Sequence, residues 1–227
     1  MIDVATIDGP AGAGKSASSA LLAERLGLER LNTGAMYRAI ALRALREKID
    51  LTDEDALVAI ARNATLESID GRIYLDGEDV ADAVRAQEVS LAVRYPANAP
   101  RVREILVAQQ RRIGIAKPIV VEGRDLGTVV FPDARCKIYL DASPEERAKR
   151  RLKELSERGE SADLETILRQ IVERDRLDSE REVGPLRQAE DAVRVDSDGK
   201  SLEEVVDVME RVARQRLEIF REKTPRK

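Results

Sequence analysis

An α/β fold, a parallel sheet covered by helices on both faces, is predicted by three observations. Short β-rich segments alternate with helix-patterned segments along most of the 227 residues. The first strand runs straight into a glycine-rich turn that opens a helix. One stretch, 64–77, breaks the alternation with two Asp-Gly dipeptides, so a small antiparallel element is expected as an insertion. The length suits one large domain, or one domain carrying an insertion, and is enough to bury a core without staples.

The elements follow in order. Residues 2–8 read as a strand and 15–26 as a helix stopped by Gly27. A strand fits 28–31. Thr33 is placed to cap a helix over 34–47, and Thr52, with Asp55 three residues on, to start another. After the hairpin, with turns at Asp70-Gly71 and Asp76-Gly77, a helix fits 82–94. Pro96 and Pro100 interrupt it, and Pro100 suits the first position of a helix to about 114. Residues 118–122 and 136–140 read as buried strands. Ser143-Pro144-Glu145-Glu146 is a strong helix start, and Gly159 breaks that helix. A long helix is expected over 163–182, closed by Gly184-Pro185. A last strand fits 191–195, and Ser201 with Glu204 opens a terminal helix to about 222.

Composition removes several classes of function. The formal net charge is −4 and aromatic residues are 3%, with no Trp, which argues against a nucleic-acid binder and against a membrane-surface protein. With no His, histidine triads and histidine metal sites are excluded. Cys136 is the lone cysteine, so there is no disulfide framework; it is expected to pack as a small apolar residue. No apolar run has the length of a membrane span, and the chain opens directly into strand Ile2–Ile7 with no signal peptide ahead of it. A soluble cytoplasmic monomer is expected.

Residues 9–16, Gly9-Pro10-Ala11-Gly12-Ala13-Gly14-Lys15-Ser16, have the full G-x-x-x-x-G-K-S spacing between a strand and a helix. Glycines let backbone N–H groups converge on phosphate oxygens, and the helix N-terminus adds positive potential. Lys15 can reach the β- and γ-phosphates of a nucleotide, and Ser16 can offer its hydroxyl to Mg²⁺. Residues 9–17, through Ala17, are therefore the candidate nucleotide-phosphate site. A switch, a transport ATPase and a small-molecule kinase all use such a loop. Here no guanine-reading Asn-Lys-x-Asp segment is present, and arginines cluster at four separate places, as a second phosphorylated substrate would require.

Asp8-Gly9-Pro10 and then Thr33-Gly34-Ala35-Met36-Tyr37-Arg38 resemble a nucleoside monophosphate kinase. Glu122-Gly123-Arg124-Asp125-Leu126-Gly127-Thr128-Val129-Val130-Phe131-Pro132 resembles the bacterial cytidylate kinases in particular. So do Glu173-Arg174-Asp175, Asp178, Arg181 and Pro185-Leu186, and the resemblance covers nearly the whole chain. It implies a P-loop kinase core with five parallel strands in the order 2-3-1-4-5, a monophosphate-binding insertion and a short lid. The implied divisions are core 1–33, 95–144 and 183–227, monophosphate-binding region 34–94, and lid with flanking helices 145–182. The implied reaction is transfer from ATP to CMP or dCMP, with Mg²⁺.

For single residues, the resemblance implies phosphate contacts for Arg38, Arg124 and Arg181 and a catalytic part for Lys15 and Arg124. It implies base contacts for Asp125 and Arg103, and sugar contacts for Arg174 and Asp178. Read without it, Arg38 is also a surface arginine and Arg124-Asp125 a solvated ion pair. The i, i+4, i+7 spacing of Arg174, Asp178 and Arg181 equally fits an intrahelical salt-bridge ladder. Arg147, Arg150 and Arg151 share a helix face that suits a lid over ATP or a solvated charged surface. Glu122, ending a strand, could order waters on the Mg²⁺. One departure stands out: where the family offers the base a small hydroxyl residue, spacing from Arg103 puts Arg94, with Ser90 out of register. The rival functions are a nucleotide-binding regulatory switch and a P-loop kinase for UMP or another small acceptor.

Overall fold

The computed structural model describes residues 1–69, 71–157 and 159–221. Its frame is a five-stranded parallel sheet of β1 (Ile2–Asp8), β2 (Glu29–Asn32), β6 (Ile119–Glu122), β7 (Ala134–Asp141) and β8 (Val193–Asp196). The spatial order is β2-β6-β1-β7-β8, which is the expected 2-3-1-4-5. β1 is central because it is apolar on both faces. Val4 packs with Ile119 and Val121 on one side, and Ala5 and Ile7 pack with Val120, Cys136, Ile138 and Leu140 on the other.

The second of these faces is covered by α1 (Lys15–Leu26) and α9 (Leu202–Arg216), through Leu22, Leu26, Val206 and Met209. The first is covered by α2 (Thr33–Arg46) and α6 (Pro100–Ala116), through Met36, Ile40, Val102 and Leu106. Pro100 is the first helical residue of α6, as its fixed φ favours. All five strands run the same way, so Asp8, Asn32, Glu122 and Asp141 end along one edge of the sheet, where ligands of such sheets bind.

The antiparallel element has three strands: β3 (Leu66–Ile69), β4 (Arg72–Leu75) and β5 (Glu78–Asp79). The pairing Leu75↔Glu78 leaves Asp76-Gly77 as a two-residue turn with φ +53° and +83°, the pattern of a type I′ hairpin. Of the other expected turn dipeptide, Asp70 lies outside the described residues.

Several boundaries differ from expectation. Asn32, not Thr33, caps α2: its side chain accepts from Ala35 N at 2.9 Å, while the Thr33 hydroxyl donates to the Glu122 carbonyl. Asp53, not Thr52, caps α3 (Glu54–Asn63), because the Thr52 hydroxyl is held by Asp50. The helix expected over 82–94 is broken into a 3₁₀ turn (Ala83–Arg85), α4 (Gln87–Ala92) and α5 (Arg94–Asn98). α7 (Pro144–Glu157) starts at the expected Ser143, whose hydroxyl accepts from Glu146 N. Arg158, in the segment read as a lid tip, lies outside the described residues. α8 (Leu164–Ser179) ends three residues early, and α9 is followed by the short α10 (Glu218–Arg221); residue 222, the expected end of the terminal helix, is likewise not described.

Candidate active site

The phosphate loop leaves the C-terminal end of β1. Gly9 has φ +148°, and a Cβ there would fall on the Leu140 carbonyl, so the loop reaches β7 as only glycine permits. Gly14, at φ +93°, turns the chain into α1. Pro10 and Ala13 are buried, whereas Gly12, Ser16 and Ala17 face outward. Lys15 is buried and donates to the carbonyls of Gly9 (2.7 Å) and Pro10 (2.6 Å). Two of its three N–H groups hold the loop and one is left for a ligand. Burial, and then the guanidinium of Arg124, push its pKa well below the ordinary lysine value.

Beneath the loop, Asp8 accepts from the backbone N–H groups of Leu126 (2.9 Å) and Gly127 (2.7 Å), which open a π-helical turn over 126–130. Burial raises its pKa to about 6 against those two hydrogen bonds. Glu122 gathers the neighbouring polar groups. Ser16 donates to one of its oxygens at 2.8 Å, and Ser19 (3.2 Å) and Asn32 (2.9 Å) donate to the other. Arg30 stands 3.5 Å from the same carboxylate. A hydroxyl and a carboxylate side by side at the phosphate-loop helix are hard oxygen donors of the kind Mg²⁺ takes. Among the described residues there is no cluster of three or more metal-ligating side chains.

Opposite the loop lies a group of guanidiniums. Arg38, on α2, is largely buried, and its Nε finds no hydrogen-bond partner. Burial, followed by the repulsion of Arg174 and Arg124, lowers its pKa to about 10. Arg85, at the end of the 3₁₀ turn, adds to that repulsion. Among the described residues no carboxylate forms an ion pair with Arg38 or Arg174. Asp178 is buried and takes Arg124 (3.1 Å) on one oxygen and Arg181 on the other. Burial alone would raise its pKa, but Arg124, Arg181 and Arg174 together hold it below the usual range. The ladder reading of Arg174, Asp178 and Arg181 is thus corrected. α8 stops at Ser179, Arg181 lies beyond it, and a partner of Asp178 comes across from the loop after β6.

Asp125 and Arg103 are both buried and are ion-paired with each other. Burial outweighs the opposing Arg103 charge and raises the Asp125 pKa. Arg103 also lies over the Tyr37 ring, 5.7 Å from its centre, and its Nε is unpartnered. Gly184, at φ +65°, closes over this pair so tightly that a Cβ would collide with both side chains. Arg94 is exposed and stacks on Tyr95 at 4.9 Å, and Ser90 is exposed on α4. Of the three arginines read as lid residues, Arg147 is buried against the phosphate loop, Arg150 is held by Ser197, and Arg151 is exposed and paired with Glu154. Sequence reasoning left Asp8, Arg30, Asn32 and Arg85 without a role. The first three end or occupy strands at the sheet edge that carries the loop, which is the signal that could have found them.

A phosphate cradle facing an array of guanidiniums short of anionic partners can hold two phosphorylated molecules head to head, and this places the chain among the P-loop kinases. In fold it is similar to a solved gluconokinase from Sinorhizobium meliloti, at a TM-score of 0.50 and 18% identity over 98% of this chain and 97% of that one. The profile of the family described as cytidylate kinase matches residues 5–215. The chain is 49% identical to a cytidylate kinase of Rhodopirellula baltica over 93% of each chain, and 46% identical to one from a Geobacillus species over 93% of this chain and 96% of that one. It belongs to the cytidylate kinase family and is a nucleoside monophosphate kinase. The regulatory-switch reading is thereby set aside.

Proposed function

We propose that the chain transfers the γ-phosphoryl group of ATP to CMP or dCMP, with the phosphate loop as donor site and the guanidinium array as acceptor site. Family membership supports the reaction. The observation that carries the site assignment is the largely buried guanidinium of Arg38, with an unsatisfied Nε, beside Arg174 and Arg124. Arg38 and Arg174 form no ion pair among the described residues, and a phosphate dianion set between these like-charged groups relieves their repulsion.

In this reading residues 9–17 wrap the ATP phosphates, and Lys15 follows the transferring group. Arg38, Arg124 and Arg181 fork onto the CMP phosphate. Arg174 and Asp178 meet the sugar, and Asp125 and Arg103 meet the cytosine edge. Ser16, with Glu122 behind it, would hold Mg²⁺, which when bound offsets charge on the β- and γ-phosphates. Phosphoryl transfer needs chiefly alignment and charge stabilisation. The acceptor is already an oxyanion, so no general base is required. Residues 34–94 serve as the acceptor-binding region and 145–182 as the lid, in a cytoplasmic monomer. Among the described residues no helix is long and apolar enough to cross a membrane.

The test is ADP release from ATP with a panel of nucleoside monophosphates and a no-acceptor control. CMP and dCMP should give the highest kcat/KM. Equal rates with UMP, or release without acceptor, would overturn the assignment.

A further inference from the structure

Asp175 belongs to a motif shared with the family but takes no part in the site as described. It lies on α8 between Arg174 and Asp178 and faces the donor side. Its two oxygens receive a fork from Arg147, Nη1 to Oδ1 at 3.0 Å and Nη2 to Oδ2 at 2.5 Å. The same guanidinium donates from Nη1 to the Ala11 carbonyl of the phosphate loop and from Nε to the Ala142 carbonyl at the end of β7, each at 3.0 Å. Arg147 is only 3% exposed, and a Cβ at Gly12 would stand 3.3 Å from its own Cβ. One planar cation thus bonds the donor loop, the end of a core strand and the acceptor helix. Lysine, a point charge on a flexible stem, cannot hold all three.

We propose that Arg147 and Asp175 are positioning residues that couple the two nucleotide sites, so that each nucleotide raises the affinity for the other. ATP fixes the backbone around Ala11, and the orientation of that carbonyl fixes the Arg147 plane. The plane fixes Asp175, and with it the turn of α8 that presents Arg174 and Asp178. The reverse path carries the effect of CMP to the loop, as linkage requires. The pair is worth more to this coupling than a surface pair would be because the Arg147 guanidinium is withdrawn from water and the fork onto the part-buried Asp175 is bidentate. The inference rests on the proposed assignment of α8 to the acceptor.

The experiment is calorimetric titration of CMP into the full chain, alone and with saturating non-hydrolysable ATP analogue. In the unmodified chain the ratio of the two Kd values should be about 5 or more, within the usual range of coupling. Asp175→Asn and Arg147→Lys should each bring it towards 1, and the double variant should lower it no further. A folded Asp175→Asn chain with the original ratio, or a ratio of 1 in the unmodified chain, overturns the coupling. If Asp175→Asn does not fold, Arg147→Lys decides by the same ratio. Asp178→Ala separates the two layers of the argument: it should weaken CMP binding in both conditions, while Arg174, the other end of the path, keeps the ratio above 1. CMP binding unchanged by Asp178→Ala would instead sink the assignment of α8 to the acceptor.

Discussion

Lys15 is held by two loop carbonyls before any phosphate arrives, and burial already disfavours its charged form. A phosphate beside it favours the charged form, so its contribution grows as charge develops on the transferring group. Lys15→Ala should lower single-turnover transfer by about 10²-fold or more, with an unchanged circular dichroism spectrum. A folded variant with near-normal transfer would refute the donor-site mechanism. Asp125 and Arg103 are already paired and buried, so a base must exchange hydrogen bonds with a formed ion pair. Cytosine supplies an N4 donor to the carboxylate and an N3 acceptor to the guanidinium, whereas uracil reverses both. Asp125→Ala should therefore narrow the CMP/UMP ratio of kcat/KM by roughly 10-fold or more, chiefly through loss of CMP activity. An unchanged ratio would show that Asp125 does not read the base.

At the scale of elements, the helix ends decide where side chains point. Asn32 caps α2 with its oxygen and reaches Glu122 with its amide nitrogen, so a single residue sets both the start of the helix that carries Arg38 and the polar group beside Ser16. α9 has a full capping box: Glu204 N donates to the Ser201 hydroxyl at 3.2 Å, and Ser201 N donates to Glu204 at 2.8 Å. This helix buries Val206 and Met209 and takes no part in the site. Ser201→Ala should cost about 1 kcal/mol of stability, seen as a fall in Tm, with both KM values unchanged. A kinetic effect would mean that α9 reaches the site. The end of α8 shows where local pattern misleads. Helical spacing extends the face to Arg181, yet the chain leaves the helix after Ser179, and Leu186 N bonds back to the Asp178 carbonyl at 2.8 Å.

For the whole molecule, the buried Asp8 beneath the phosphate loop makes stability depend on pH. Its folded pKa, about 6, lies above its ordinary 3.8, so the folded state binds the proton more tightly than the unfolded one. Stability from this group is greatest below pH 4, declines as pH rises through about 6, and is then level. The shift corresponds to a decline on the order of 2–3 kcal/mol over that window. Asp8→Asn should remove it. The Tm difference between the unmodified chain and the variant, measured from pH 4 to 7, should move against the unmodified chain as pH rises. A difference constant across that range would exclude Asp8 as the source.

Alternation of strand and helix, together with a G-x-x-x-x-G-K-S loop after the first strand, was enough to predict the parallel sheet, and the later family segments its strand order. These features are local: the continuous buried run Val4–Ile7, covered on both faces, and the turn chemistry of Asp76-Gly77 act within a few residues. The arginines of the proposed acceptor site were singled out by the family segments that contain them; Arg124 follows a strand, whereas Arg38 and Arg174 lie on helices. Their partners were not legible. That Asp178 takes Arg124 from 54 residues away, that Asp125 and Arg103 are bound to each other, and that Arg147 turns inward to Asp175 all depend on which strand ends the sheet brings together. Spacing along one helix cannot reveal a partner on another, since a guanidinium withdrawn from water pairs with the nearest available acceptor, and only the tertiary structure decides which that is.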